Sequence, residues 1–257
     1  MLRCLPLPIR ARPLAFLLAL CPLPALADTA TVAVAANFAT TLEKLGARFA
    51  VESDHDIRIV IGSTGKLYTQ IVHGAPFDIF LAADAERPAR LVDEGRAAEG
   101  DRLTYATGRL VLWSREDAVS EETLRGGTID RLAIANPELA PYGAAAMEVL
   151  AHYGLEGETL PRLVMGENVA QAIAMLATGN VDHGLVPLSI RANEGIADGA
   201  HLWTVPAEAH APIEQDGVLL EWGRGNPAAV AFFAFLSSDP ARAIVLTDGY
   251  DPSDRKP

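Results

Sequence analysis

The sequence predicts an α/β protein with mostly parallel strands. Strand and helix signals alternate along most of the chain, which is the pattern of a parallel sheet covered by helices. The strand segments are short and apolar-rich, whereas the helical segments repeat their apolar residues every three or four positions. No Ser/Gly linker, low-complexity run or fixed-period repeat interrupts the chain. Its length allows one domain or two. Two similar lobes joined by crossing strands would explain why no linker is seen.

The elements follow in order. Thr31 to Phe38 reads as a buried strand that stops abruptly at Ala35, Ala36 and Asn37. Phe38 to Val51 is helical, with Leu42, Leu45 and Phe49 on one face. Ile57 to Ile61 is a strand, Lys66 to Val72 a helix stopped by Gly74-Ala75-Pro76, and Phe77 to Ala82 a third strand. Pro88 to Glu94 is a helix ended by Gly95. Leu110 to Trp113, Leu132 to Ile134 and Gly184 to Val186 are strands. Gly143 to Tyr153 and Val169 to Ala177 are helices ended by Gly154 and Gly179, and two more helices, Ala228 to Leu236 and Pro240 to Thr247, close the chain. The candidate crossings lie near Thr104 to Trp113 and Pro206 to Val218.

The first 27 residues read as a leader. Arg3, Arg10 and Arg12 make a basic start, Leu14 to Leu20 is an apolar stretch too short to span a bilayer, and Ala25-Leu26-Ala27 fits the small-x-small cleavage rule. Cleavage after Ala27 is expected; the alternative is a lipoprotein anchored through Cys21. Both cysteines, Cys4 and Cys21, fall in this segment, so the mature chain has no disulfide and relies on core burial, for which its length is ample. The leader holds three of the 21 basic residues and none of the 33 acidic ones, which leaves a mature formal charge of −15. That excludes nucleic acid and anionic membrane as natural partners. An anion, if one is bound, must be held by local dipoles against the global field.

Four segments have the chemistry for that. A strand that feeds directly into a helix leaves backbone N–H groups unpaired and converging on one point. Ala36-Asn37 is the first such place and Gly62-Ser63-Thr64-Gly65 the second. Asn136-Pro137 with Pro141-Tyr142-Gly143, and Glu167-Asn168-Val169, are the third and fourth. Taken singly, each is explained as an ordinary helix cap or turn; together they suggest more, because none carries a basic cluster. Gly62 to Lys66 is not a nucleotide loop: the leading glycine is missing, and Leu67 stands where a magnesium-binding hydroxyl belongs. Nor is it a nucleophile elbow, because Ser63 directly follows Gly62. A hydrolase using Ser63 or Thr64 would need a histidine base, and no spacing among the six histidines supplies one or makes a metal motif. Asp78 and Asp84 could pair, but Asp84-Ala85-Glu86 reads more simply as a helix cap. Lys66 reads as a solvated helix lysine, and Arg109, the nearest candidate for gripping an organic acid, sits in a crossing segment.

These segments resemble, in order and through most of the mature chain, the periplasmic molybdate-binding proteins of ABC transporters. The resemblance rests on Val34 to Phe38, Gly62 to Tyr68, Gln70 to Asp84, Tyr105 to Trp113, Ile134 to Pro137 with Ala140 to Gly143, and Gly166 to Val169. It implies a two-lobed periplasmic binding protein fold of type II: mixed, mostly parallel sheets flanked by helices, hinged by two crossing segments. It divides the chain into a signal peptide (1–27), lobe 1 (28–108 and 214–257) and lobe 2 (109–213). It further implies a capture protein that is not an enzyme and needs no cofactor. Ala36, Asn37, Ser63, Thr64, Tyr142 and Val169 are then expected to hold the oxyanion, with molybdenum bound only as that oxyanion. The expected partners are molybdate or tungstate and an inner-membrane permease, with the binding protein itself a monomer. One departure stands out: some members place a tyrosine donor after the Gly-x-Val strand, where this chain has Pro187, without hydroxyl or N–H. Tyr142 is expected to compensate.

The chemistry expected of such a pocket is simple. Molybdate and tungstate are fully ionised and only accept hydrogen bonds, so donors alone satisfy them. Protonated phosphate brings a donor that finds no acceptor, at a cost of about 1–3 kcal/mol. Sulfate must be rejected by size, because a smaller ion leaves its bonds long.

Overall fold

The computed structural model describes residues 28–126, 129–155, 157, 162–193 and 199–251. The expected leader, with Cys4 and Cys21, lies outside the described residues. The chain opens with β1 (Thr29–Ala35), a 3-10 turn (Ala36–Phe38), α1 (Ala39–Glu52), β2 (Asp56–Gly62), α2 (Thr64–Val72), β3 (Ile79–Leu81), α3 (Glu86–Asp93) and β4 (Ala97–Gly108). It continues through β5 (Leu110–Ser114), α4 (Glu121–Arg125), β6 (Arg131–Ala135), α5 (Pro141–His152), β7 (Arg162–Gly166), α6 (Val169–Ala177), β8 (His183–Pro187) and β9 (His201–Thr204), and returns with β10 (Ile213–Leu220), α7 (Pro227–Phe235) and α8 (Asp239–Thr247).

These strands form two five-stranded sheets, ordered β2-β1-β3-β10-β4 and β7-β6-β8-β5-β9. In each sheet three strands run parallel, and the strands entering from the other sheet run against them: β10 is antiparallel to β3 and β4, and β5 to β8 and β9. This is the mixed, two-lobed arrangement expected from the sequence. Only Arg109 separates β4 of one sheet from β5 of the other, and the return passes from β9 to β10.

The register of the parallel pairs positions the site. β1 and β2 end level, with Ala35 opposite Gly62, and β6 and β7 end level in the same way, with Ala135 opposite Gly166. Each glycine lets the next helix fold down over its strand end. At Gly166 a Cβ would come within 2.7 Å of the Ala172 amide. The C-terminal ends of the parallel strands, where ligands gather in open α/β sheets, therefore face one another across the gap between the sheets.

Packing fixes this placement. One face of the first sheet is covered by α1, α7 and α8 through Leu42, Leu45, Phe49 and Phe232, the other by α2 and α3 through Leu67, Ile71 and Leu91. In the second sheet Leu112, Ile134 and Val149 pack on the α5 side, and Trp113, Ile173 and Leu176 on the α6 side. Ala35 and Ala83, from the first sheet's strand ends and loops, join the α5-side core of the second, so the two lobes are in contact.

Two details differ from the sequence-based expectation. The first strand does not run to Phe38: the last three residues of that segment coil into the 3-10 turn before α1 begins at Ala39. Elements α4, β7 and β9 were not expected, and β4 and β10 only as the crossings near Thr104 to Trp113 and Pro206 to Val218. In β10 the run Glu214-Gln215-Asp216 breaks the apolar pattern, yet Gln215 and Asp216 are buried. Asp216 is tolerated there because Arg102 Nε and Thr104 Oγ1 donate to its carboxylate at 2.8 and 2.7 Å.

Candidate functional site

A small cavity, about 10 Å3, lies where the strand ends meet. Ala35, Ala36, Asn37, Gly62, Ser63, Thr64 and Ala83 line it from the first sheet, and Ala140, Pro141, Tyr142, Asn168 and Val169 from the second. All six residues singled out from the sequence, Ala36, Asn37, Ser63, Thr64, Tyr142 and Val169, are brought together. Among the described residues, no lysine, arginine, histidine or carboxylate lines the cavity.

The hydroxyls are arranged in one sense. Ser63 caps α2, its Oγ accepting from the Lys66 amide at 3.4 Å. Thr64 Oγ1 accepts from the Ala83 amide at 3.1 Å. The Tyr142 hydroxyl accepts from Gln215 Nε2 at 3.2 Å. In each case a protein N–H occupies an oxygen lone pair, which leaves the hydroxyl proton for an acceptor in the cavity. To these are added backbone amides at helix starts. Thr64 and Val169 are the first residues of α2 and α6, where helical geometry supplies no acceptor. Asn168 caps α6 as expected, its Oδ1 accepting from the Gln171 amide at 3.1 Å.

Asn37 is placed differently. It is not a helix cap. Its Nδ2 donates to Gln215 Oε1 at 2.8 Å and to the Tyr250 hydroxyl at 3.3 Å, so both side-chain N–H groups are engaged. Its carbonyl accepts from Tyr250 at 2.6 Å and from Ser189 Oγ at 3.1 Å. The donor left to Asn37 is its backbone amide.

The charged candidates lie elsewhere. Lys66 reaches across the rim to Glu167, with Nζ 2.5 Å from Oε2. Arg109 is paired with Asp251 at the crossing. Asp78 accepts from the Thr31 amide at 2.6 Å, and Asp84 accepts from the Arg87 amide at 2.9 Å and pairs with its guanidinium. Burial still pushes the Asp84 carboxyl above the usual carboxylate range, outweighing Arg87. Pro187 ends β8 and is not a lining residue. Among the described residues no group of three or more histidines, cysteines, aspartates or glutamates could hold a metal ion. A wider groove beside the cavity is bordered by Asp84, Glu86, Glu148 and Glu214. Arg87 also lines it but is paired with Asp84, so the remaining carboxylates leave the groove net negative and unsuited to an anion.

Contacts across the gap hold the lobes together. The Gly65 amide donates to the Leu139 carbonyl at 2.9 Å, Thr40 Oγ1 meets Asn193 Oδ1 at 2.5 Å, and Arg87 donates to the Glu138 carbonyl at 3.4 Å. The tyrosines beside the cavity are buried. Burial above all, and then neighbouring tyrosines, hold the Tyr105 and Tyr142 hydroxyls well above the ordinary phenol range, and burial raises Tyr250 as well. All three remain neutral donors.

Four residues that support the site were not singled out from sequence: Ala83, Gly108, Gln215 and Tyr250. Each acts on a partner distant in the chain, so no local motif marks its role.

A model of the family described as bacterial extracellular solute-binding protein matches residues 30–251. The chain belongs to that family. This solute-binding protein is 42% identical over 222 residues to the molybdate-binding protein ModA of Azotobacter vinelandii, covering 85% of this chain and 88% of the relative. It is 41% identical over 230 residues to ModA of Rhodobacter capsulatus, covering 89% and 90%. The solved periplasmic molybdate-binding protein of Azotobacter vinelandii superposes with a TM-score of 0.80 at 37% identity, covering 86% of this chain and 98% of that one. The protein is thus a periplasmic transport component rather than an enzyme.

Proposed function

We propose that this protein is the molybdate-capturing component of an ABC importer, that it takes tungstate as well, and that it holds the ion at helix N-termini between its lobes. The observation that carries the reading is the sense of the three hydroxyls: Ser63, Thr64 and Tyr142 each accept from a protein N–H and keep a proton for the cavity. Together with the leading amides of α2 and α6 and the backbone amide of Asn37, they make a wall of donors without a cation. A fully ionised tetrahedral oxyanion matches such a wall, because it only accepts. Each charge-assisted bond is worth about 1.5–3 kcal/mol, so five or more suffice for tight binding after ordering costs. The relatives named for molybdate binding support the same ligand.

In this reading, lobe 1 (28–108 and 214–257) and lobe 2 (109–213) close on the ion through contacts such as Gly65 to Leu139, and the closed form docks on the membrane permease. The leader 1–27 directs export and is cleaved. The protein acts as a monomer, with no cofactor and no nucleic-acid partner. The test is calorimetric titration with molybdate, tungstate, sulfate and phosphate. Tight binding of the first two and weak binding of the last two is expected; equal or better binding of sulfate would remove the proposal.

A further inference from the structure

Gln215 lies fully buried in β10, one of the strands that link the sheets, and touches the binding loops of both lobes. Its Oε1 accepts from Asn37 Nδ2 at 2.8 Å, on the first-sheet side. Its Nε2 donates to the Tyr142 hydroxyl at 3.2 Å, on the second-sheet side. The Tyr105 hydroxyl, which donates to the Ala82 carbonyl at 2.8 Å, also stands 3.2 Å from Gln215 Oε1.

The sense of these bonds is fixed from one end. Tyr250 gives its single proton to the Asn37 carbonyl at 2.6 Å. The Tyr250 oxygen therefore faces Asn37 as an acceptor, which requires Nδ2, not Oδ1, on that side. Nδ2 in turn requires Oε1 of Gln215 opposite it, and this puts Nε2 on Tyr142. A tyrosine oxygen that accepts from Nε2 must aim its own proton elsewhere. Among the described residues Tyr142 has no acceptor for it, and Tyr142 is one of the residues that line the cavity.

We propose that Gln215 is a specificity-determining positioning residue: it forces Tyr142 to present a proton, never a lone pair, to the bound anion. This rests on the oxyanion reading above and adds the device that enforces it. A free tyrosine can rotate its hydroxyl to donate to a bare oxyanion or to accept from a protonated one. A tyrosine held by Gln215 can accept from the anion only by leaving its own buried proton without a partner, so it donates. Gln215 therefore rejects oxyanions that carry a proton, such as hydrogen phosphate or hydrogen arsenate, without touching them.

The experiment is a double-mutant cycle with neutral replacements, Gln215→Met and Tyr142→Phe, titrated with molybdate and with arsenate at pH 7.5. Neutral side chains keep charge repulsion out of the comparison. Gln215→Met is expected to weaken molybdate binding about fivefold to tenfold and to lower the ratio of molybdate to arsenate affinity at least tenfold. In the Tyr142→Phe background it is expected to change neither by more than twofold, because its target is gone. A loss of the same size in both backgrounds, or an unchanged anion ratio, would overturn the proposal. If Gln215→Met does not fold, Gln215→Leu and Gln215→Ala run through the same cycle decide the question by the same criteria. If the wild-type chain prefers another tetrahedral oxyanion, the molybdate reading fails, and the cycle measured on that anion still decides the role of Gln215.

Discussion

Gly108 lies so close to Tyr142 that a Cβ on it would stand 2.0 Å from the tyrosine hydroxyl and 2.9 Å from Gln215 Nε2. No rotamer change of the new methyl is available, since a Cβ has none. Gly108 ends β4, directly before the chain crosses between the sheets, so the crossing itself sets where the Tyr142 hydroxyl can sit.

Gly108→Ala should therefore displace Tyr142. Overpacking of this kind costs about 1–3 kcal/mol of stability, and the hydroxyl leaves its place on the cavity wall. The expected outcome is a folded protein with a lowered Tm and at least tenfold weaker molybdate binding. Gly225→Ala is the control, because nothing lies within 4 Å of a Cβ there. Equal affinities in the two variants would show that Tyr142 is not a ligand.

Much of the fold was legible in the sequence because its signals are local. The alternation of apolar strands and periodic helices, and the stops at Gly95, Gly154 and Gly179, lie within a few residues of what they specify. The helix α6 was read with its observed bounds, Val169–Ala177, since Asn168 caps it and Gly179 follows it. The cavity was legible for the same reason: its donors sit at strand-to-helix junctions. What stayed hidden depends on partners far apart in the chain. Gln215 is a polar residue in a strand without apolar alternation, and its partners Asn37 and Tyr142 are 178 and 73 residues away. Asn37 itself reads as a cap or, with Ala36, as a holder of the oxyanion, and only Gln215 and Tyr250, 178 and 213 residues on, show that its side chain is already engaged. The charge of Lys66 was visible; that Glu167 takes it at the rim was not.

The hydroxyl of Thr64 offers the most direct test of the site. Thr64→Val keeps the shape of the side chain and removes the oxygen that accepts from Ala83. One charge-assisted bond to the ligand is lost, about 1.5–3 kcal/mol, or roughly 10- to 150-fold in affinity. The Ala83 amide also loses its partner, which lowers stability by about 1–3 kcal/mol. Asn37→Ala should weaken binding less, because its side chain supports Gln215 and Tyr250 instead of reaching the ion. Wild-type affinity in both variants, measured by calorimetry, would remove the assignment of the cavity.

Binding should scarcely depend on pH between about 6 and 9, within which neutral amides and hydroxyls keep their protons. Among the described residues Tyr142 is the only titratable group lining the cavity, and burial raises its pKa, so the proton-holding donor form persists through the whole range and is lost only above it. The remaining donors are amides and aliphatic hydroxyls, which do not titrate there. A site built on histidine would lose its positive charge, and with it the anion, as the pH rose through about 6.5. A lysine site would hold until about pH 10 but would lose affinity steeply with salt. The donor wall gives neither signature. Its pH profile is flat, and its salt dependence comes only from the chain's distributed negative charge, so it runs toward slightly tighter binding as salt is added. Affinity that falls about tenfold between pH ~6 and ~8, or that weakens strongly as salt is raised, would place a cation in the site and end the neutral-donor mechanism.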